Sequence, residues 1–179
     1  MKRTKEANEM RNRLVLGILL VLLLVFTAAC SYLGGQSALE ENKTLARRFF
    51  EEVASQQKLD LIDELFAPEY VLHDPANPMV QNREALKGFL MGHYAAFPDA
   101  KWTVEDVMAE GDKVTVRWTF SGTHQGDLMG IPPTGKHVAM SGISVYRIAD
   151  GKIAEEWAVA DVMGFMQQLG VVPAPGQSQ

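Results

Sequence analysis

The spacing of apolar residues changes character twice along this chain. Residues 14–29, LVLGILLVLLLVFTAA, are apolar without a break. From residue 37 onward apolar positions recur at intervals of three and four, and beyond residue 100 at intervals of two, which reads as helices followed by strands. Ser37 and Glu40 have the spacing of a capping box ahead of a helix whose stripe is Leu45, Phe49 and Val53 with Ala46 and Phe50. Asp60 is placed to cap a short second helix ending at Leu65, and Tyr70–His73 reads as a brief strand. After a Pro-containing loop, Asn82 caps a helix with the face Leu86, Phe89, Leu90, His93, Tyr94 and Phe97, stopped by Pro98-Asp99.

Period two then takes over. Trp102, Val104 and Asp106 alternate with Thr103, Glu105 and Val107, and Glu110-Gly111-Asp112 is a turn. Val114, Val116, Trp118 and Phe120 line one face of a long strand, and His124 shares their parity. A Gly- and Pro-rich connection from Gly122 to Lys136 leads to a strand from His137 to Ala149. The Asp150-Gly151 hairpin turn and a strand from Ile153 to Ala160 follow. Asp161 caps a last helix, Val162–Leu169, ended by Gly170.

The apolar run at the start is an address signal and no part of the fold. As a helix its sixteen residues span about 24 Å, short of the roughly 30 Å hydrocarbon core of a bilayer, a length suited to a signal-peptide core. Five basic residues (Lys2, Arg3, Lys5, Arg11, Arg13) against Glu6 and Glu9 precede it. They keep that end in the cytoplasm and put the domain outside. Small residues before Cys30, the only cysteine, resemble a bacterial lipobox, which implies lipidation of Cys30. An uncleaved N-terminal anchor is the alternative, and either places the chain in the cell envelope with its membrane contact at the N-terminus. The expected organisation is residues 1–29 as signal or anchor, 30–37 as tether, 38–171 as the folded domain and 172–179 as a tail.

Length and 47% apolar residues fit one domain with a core. The net charge of −5, with the basic excess confined to the first residues, leaves an acidic body and argues against nucleic acid as a partner. A lone cysteine permits no intrachain disulfide. Helices followed by strands in hairpin order predict an α+β fold, three to four helices on a curved antiparallel sheet. Such a cone is a natural site for a small apolar molecule.

The segments GTHQGDLMGIPPTGK, YRIADGKI, EEW and QQLG occur in that order, with HDP at His73–Pro75 and AFPDAKWTVEDVMAEGDKV from Ala96 to Val114. Together they resemble the SnoaL-like polyketide cyclase and ester cyclase group of the NTF2-like superfamily, over about residues 40–171. The resemblance implies an NTF2-like cone that is often a homodimer through its outer sheet face. It also implies ring closure by aldol condensation with a His–Asp acid–base pair and neither metal nor cofactor. Counted from Arg147, those two positions fall on Ser144 and Ala158, neither of which can transfer a proton at neutral pH.

Chemistry would then rest on neighbours: His73, His124 and Asp161 are the catalytic candidates, with Ser144, Ala158, Trp118 and Tyr146 as pocket lining. Each candidate also has a structural reading. His73-Asp74-Pro75 can simply end a strand, with Asp74 making a turn hydrogen bond. His124 can be a rim residue, and Asp161 a helix N-cap. Trp157 has the parity opposite to Ala158, so it points away from the pocket unless the strand is bulged. His93 reads as a core-edge histidine and His137 as solvated. The four histidines lack metal-ligand spacing, and no phosphate loop or nucleophile elbow occurs.

Two main functions remain open, an acid–base enzyme acting on a carbonyl- or ester-bearing molecule, and a tethered binding module without turnover. A dimerisation scaffold with a filled cone is a third. The first expects His73, His124 and Asp161 to converge. The second expects an apolar cavity of roughly 300–1,000 Å³.

Overall fold

The computed structural model describes residues 34–173 and residue 176. The apolar run at 14–29 and Cys30 lie outside the described residues. Among the described residues no helix is long and apolar enough to cross a membrane. Among the described residues, those from 39 onward form one compact unit.

Residues 34–48 are α-helical and continue as a π-helical stretch, Phe49–Ala54, together α1. Ser37 therefore lies inside a helix and does not cap it. The wider π turn lets Phe49, Phe50, Val53 and Ala54 all face inward. A 3-10 turn, Leu59–Leu61, runs into a single helical turn, Ile62–Leu65 (α2). Asp60 lies within that turn and supplies no cap, contrary to expectation. Asn82 caps α3 (Arg83–Ala96) by accepting from the Ala85 N–H at 2.9 Å.

The strands are β1 (Phe66–His73), β2 (Lys101–Glu110), β3 (Lys113–Thr123), β4 (His137–Ala149) and β5 (Lys152–Ala160). They form one sheet in the order β1-β5-β4-β3-β2. The α+β architecture and the four hairpin-ordered strands agree with the pattern. The sheet is mixed and not purely antiparallel, because β1 joins β5 in parallel. β1 starts at Phe66, four residues earlier than the pattern shows. Pro68, which has no N–H to donate, falls where its register with β5 shifts, at the sheet edge. Asp150 and Gly151 both take positive φ, as the two-residue turn between β4 and β5 requires.

Two bulges curve the sheet and reset side-chain parity. In β2 the register slips between Val104 and Asp106. Trp102 and Val104 before the slip, and Val107 and Ala109 after it, therefore all pack on the core, whereas unbroken alternation had put Val107 opposite Trp102. In β5 the slip falls opposite Arg147 and Ile148, so Ile153 and Ala154 are both buried. The core fills the concave side, where ring edges meet faces: Phe49 on Phe66 at 5.1 Å, Phe66 on Tyr70 at 4.8 Å and Phe97 on Phe120 at 5.2 Å. Asp161 caps α4 (Val162–Leu169), and Gly170 closes it at φ 85°.

Candidate functional site

Past its bulge β5 alternates cleanly. Glu156, Ala158 and Ala160 face the concave side, while Trp157 and Val159 are exposed on the outer face. Cross-strand pairing sets Glu156 beside Tyr146, and Ala158 beside Ser144, on β4. The parallel strand β1 sets Leu72 against Glu156, and Tyr70, two residues earlier, shares its face.

The Tyr70 hydroxyl donates to Glu156 Oε2 at 2.7 Å, with both side chains buried. The Tyr146 hydroxyl is buried nearby without a hydrogen bond. Trp118 Nε1 donates to Ser144 Oγ at 3.1 Å. That contact needs the indole flat against β4, where a Cβ at Gly142 would overlap it.

Glu156 has no basic partner among the described ion pairs; Arg147 is engaged with the neighbouring Glu155, at 3.1 Å. Burial therefore raises the Glu156 carboxyl above the usual carboxylate range, and the Tyr70 hydroxyl pulls it only part of the way back. The same carboxylate, together with burial, pushes the Tyr70 phenol well above its ordinary value, burial being the larger cause. A carboxyl tuned upward in this way holds its proton to higher pH than an exposed one and can serve as an acid–base group.

Glu156 lines a cavity of about 180 Å³ whose walls are mostly apolar, with Phe50, Trp102, Trp118 and Phe165 among them. It is smaller than the expected range of roughly 300–1,000 Å³. Trp118 and Ala158 line it, whereas Ser144 and Tyr146 sit behind the lining, against Trp118 and Glu156. The titratable side chains on the lining are Asp74, His93 and Glu156. Among the described residues, no group of three or more His, Cys, Asp or Glu side chains could hold a metal ion.

The three catalytic candidates do not share this site. His73 stands on the outer face, its ring stacked on Trp157 at 5.1 Å and 15°. Its neighbour Asp74 holds a turn by accepting from Ala76 N at 2.8 Å and Asn77 Nδ2 at 2.7 Å. Asp161 is exposed and accepts from Gly164 N at 2.9 Å as an N-cap. His124 keeps the parity read for it and is fully buried. It lies under the connection that follows β3, however, packed on Phe97, with Nδ1 accepting from Thr134 N at 3.2 Å. The expected convergence is thus overturned: His73 is turned outward by its strand parity, and local hydrogen bonds hold the other two.

Glu156 and His93 are the residues that sequence reasoning missed. The signal for Glu156 was present, since it precedes Ala158 by two positions on one strand and must share its face. His93 lies four residues after Phe89 on the apolar face of α3 and reaches the cavity, further in than the core edge that its pattern predicts.

Residues 44–169 match the SnoaL-like polyketide cyclase family. The chain belongs to that family. Nogalonic acid methyl ester cyclase from Streptomyces nogalater is 31% identical over 117 residues, 63% of this chain and 86% of the relative. Aklanonic acid methyl ester cyclase DnrD from Streptomyces peucetius is 30% identical over 131 residues, 70% of this chain and 88% of the relative. The structure of TsrD from Streptomyces laurentii superposes with a TM-score of 0.68 at 27% identity, over 74% of this chain and 97% of that one. The mixed sheet with helices on its concave side is accordingly the NTF2-like cone of the SnoaL-like proteins.

Proposed function

We propose that this SnoaL-like domain binds a small, apolar, carbonyl- or ester-bearing molecule in its cone and moves a proton on it without a cofactor, with Glu156 as the acid–base group. The observation that carries the reading is the Glu156 carboxyl, buried on the cavity wall, held by Tyr70 and lacking a countercharge. Ester cyclase activity in the named relatives supports the reaction class. The cavity volume supports a ligand of about one ring, since an engineered apolar cavity of about 150 Å³ takes up benzene. In this proposal Cys30 is lipidated and anchors the domain on the outer face of the cytoplasmic membrane, and two copies meet through the outer sheet face. Support for the pairing comes from Val71, Ile143, Trp157 and Val159, large apolar side chains exposed on or beside that face.

The test uses the full-length chain in detergent with acetophenone, a one-ring ketone, in D₂O. Loss of the methyl proton signal reports exchange at the carbon beside the carbonyl. The wild type is expected to accelerate exchange above buffer, and Glu156→Gln to lose that acceleration by about 100-fold or more, the scale of general acid–base catalysis. Equal rates for the two proteins would remove Glu156 from the reaction, and binding without exchange would favour a module that holds its ligand without turnover.

A further inference from the structure

His93 is a second titratable side chain on the cavity lining. It enters from α3, the helical wall, whereas Glu156 enters from the sheet. Its Nδ1 lies 3.2 Å from the Phe89 carbonyl oxygen, one turn back on the same helix. A carbonyl can only accept, so Nδ1 carries the ring proton, and in the neutral ring Nε2 is left with a lone pair. Phe89, Phe97, Trp102 and Phe120 surround the ring, with centroids 4.3 to 6.4 Å away. Apart from Glu156, Asp74 is the one other titratable side chain on the cavity lining. Among the described residues no acidic side chain is hydrogen-bonded to the imidazole, which would otherwise favour the imidazolium. Burial accordingly holds the imidazole below its usual pKa.

We propose that His93 is the second proton-transfer group of this site, its Nε2 taking the proton from the carbon beside the substrate carbonyl while Glu156 gives its own proton to the carbonyl oxygen. This rests on the reading of Glu156 given above. The C–H bond breaks and its electron pair becomes the C=C bond of an enol. The carbonyl π pair takes up the Glu156 proton, leaving an imidazolium and a carboxylate. Return of a proton from Nε2 to carbon and from the enol oxygen to Glu156 restores both groups. In D₂O the Nε2 position exchanges with solvent in between, so the carbon gains deuterium. The two environments push the acid and the base in the directions that this division of labour requires, the carboxyl towards its protonated form and the imidazole towards its neutral form. A base on α3 lies on a different element from the β4 and β5 positions at which the family resemblance expects the pair, and it accounts for how the cone can act with Ser144 and Ala158 there.

His93→Asn separates the roles, because an Asn amide can still donate to the Phe89 carbonyl while it removes the base. In the acetophenone exchange experiment with the full-length chain in detergent, His93→Asn is expected to lose about 100-fold or more of the acceleration with an unchanged melting temperature. In His93→Ala, added imidazole is expected to restore exchange in a concentration-dependent way, an effect that a merely structural histidine would not show. Exchange at the wild-type rate in His93→Asn, with Glu156→Gln inactive, overturns the inference and leaves the reading of Glu156 standing. A wild-type rate in Glu156→Gln overturns both. Loss in His93→Asn without imidazole rescue of His93→Ala also overturns the assignment of His93 as base.

Discussion

Tyr70 on β1 and Glu156 on β5 are 86 residues apart in sequence and share a 2.7 Å hydrogen bond inside the cone. The bond exists because the first strand of the sheet pairs in parallel with the last. Replacing Tyr70 by Phe leaves the buried carboxyl short of a donor, a loss of about 1–3 kcal/mol of stability for an unsatisfied buried partner. It also removes the largest of the hydrogen-bond effects that hold the Glu156 pKa down, so the carboxyl should stay protonated to higher pH. Urea unfolding measures the first effect and the infrared band of the protonated carboxyl the second. A band that disappears at the wild-type pH would remove Tyr70 as the tuning group.

Glu156 also makes stability depend on pH. Its folded-state pKa lies above the unfolded value because of burial, so the native state binds the proton more tightly. Its contribution is fully present below the ordinary glutamate pKa of about 4.3 and is lost as pH rises through the folded value. Relative to Glu156→Gln, which stays neutral, the wild type should lose stability as pH rises from the acid end through the folded-state value. Melting temperatures of both proteins across that window check this, and parallel profiles would contradict it.

Gly142 leaves room for the Trp118 indole against β4. Gly142→Ala forces the ring away, breaks its bond to Ser144 Oγ and costs about 1–3 kcal/mol as overpacking. Denaturant unfolding gives the cost, and a changed near-UV circular dichroism spectrum shows that the indole has moved. An unchanged spectrum would mean that the strand yields in place of the ring.

Asp161 separates helix capping from catalysis. Asp161→Ala should lower stability by about 1 kcal/mol through the lost bond to Gly164 N and leave acetophenone exchange at the wild-type rate. A large loss of exchange at unchanged stability would return Asp161 to the reacting centre.

Elements held by neighbours in sequence were readable from the chain alone. Asn82 and Asp161 cap their helices through N–H groups three residues on. Asp150-Gly151 turns by its own backbone preference, and β3 buries Val114, Val116, Trp118 and Phe120 on one face as alternation demands. Family membership was readable for the same reason, since its motifs are local runs of residues.

Readings failed where distant parts of the chain decide. The bulges in β2 and β5 answer to sheet curvature, so strict alternation misplaced Val107. Ser37 and Asp60 have capping chemistry, but each lies within helical backbone and not at its start. His73, His124 and Asp161 are the polar residues that catch the eye in a list of letters, and each is spent on a local contact. The sequence by itself determined the antiparallel strands β2 to β5, the caps at Asn82 and Asp161, and the family. Only the tertiary structure decided that Glu156 and His93 line one cavity, because strand pairing and enclosure bring them there, and desolvation, which no neighbour in sequence can supply, moves a carboxyl up and an imidazole down.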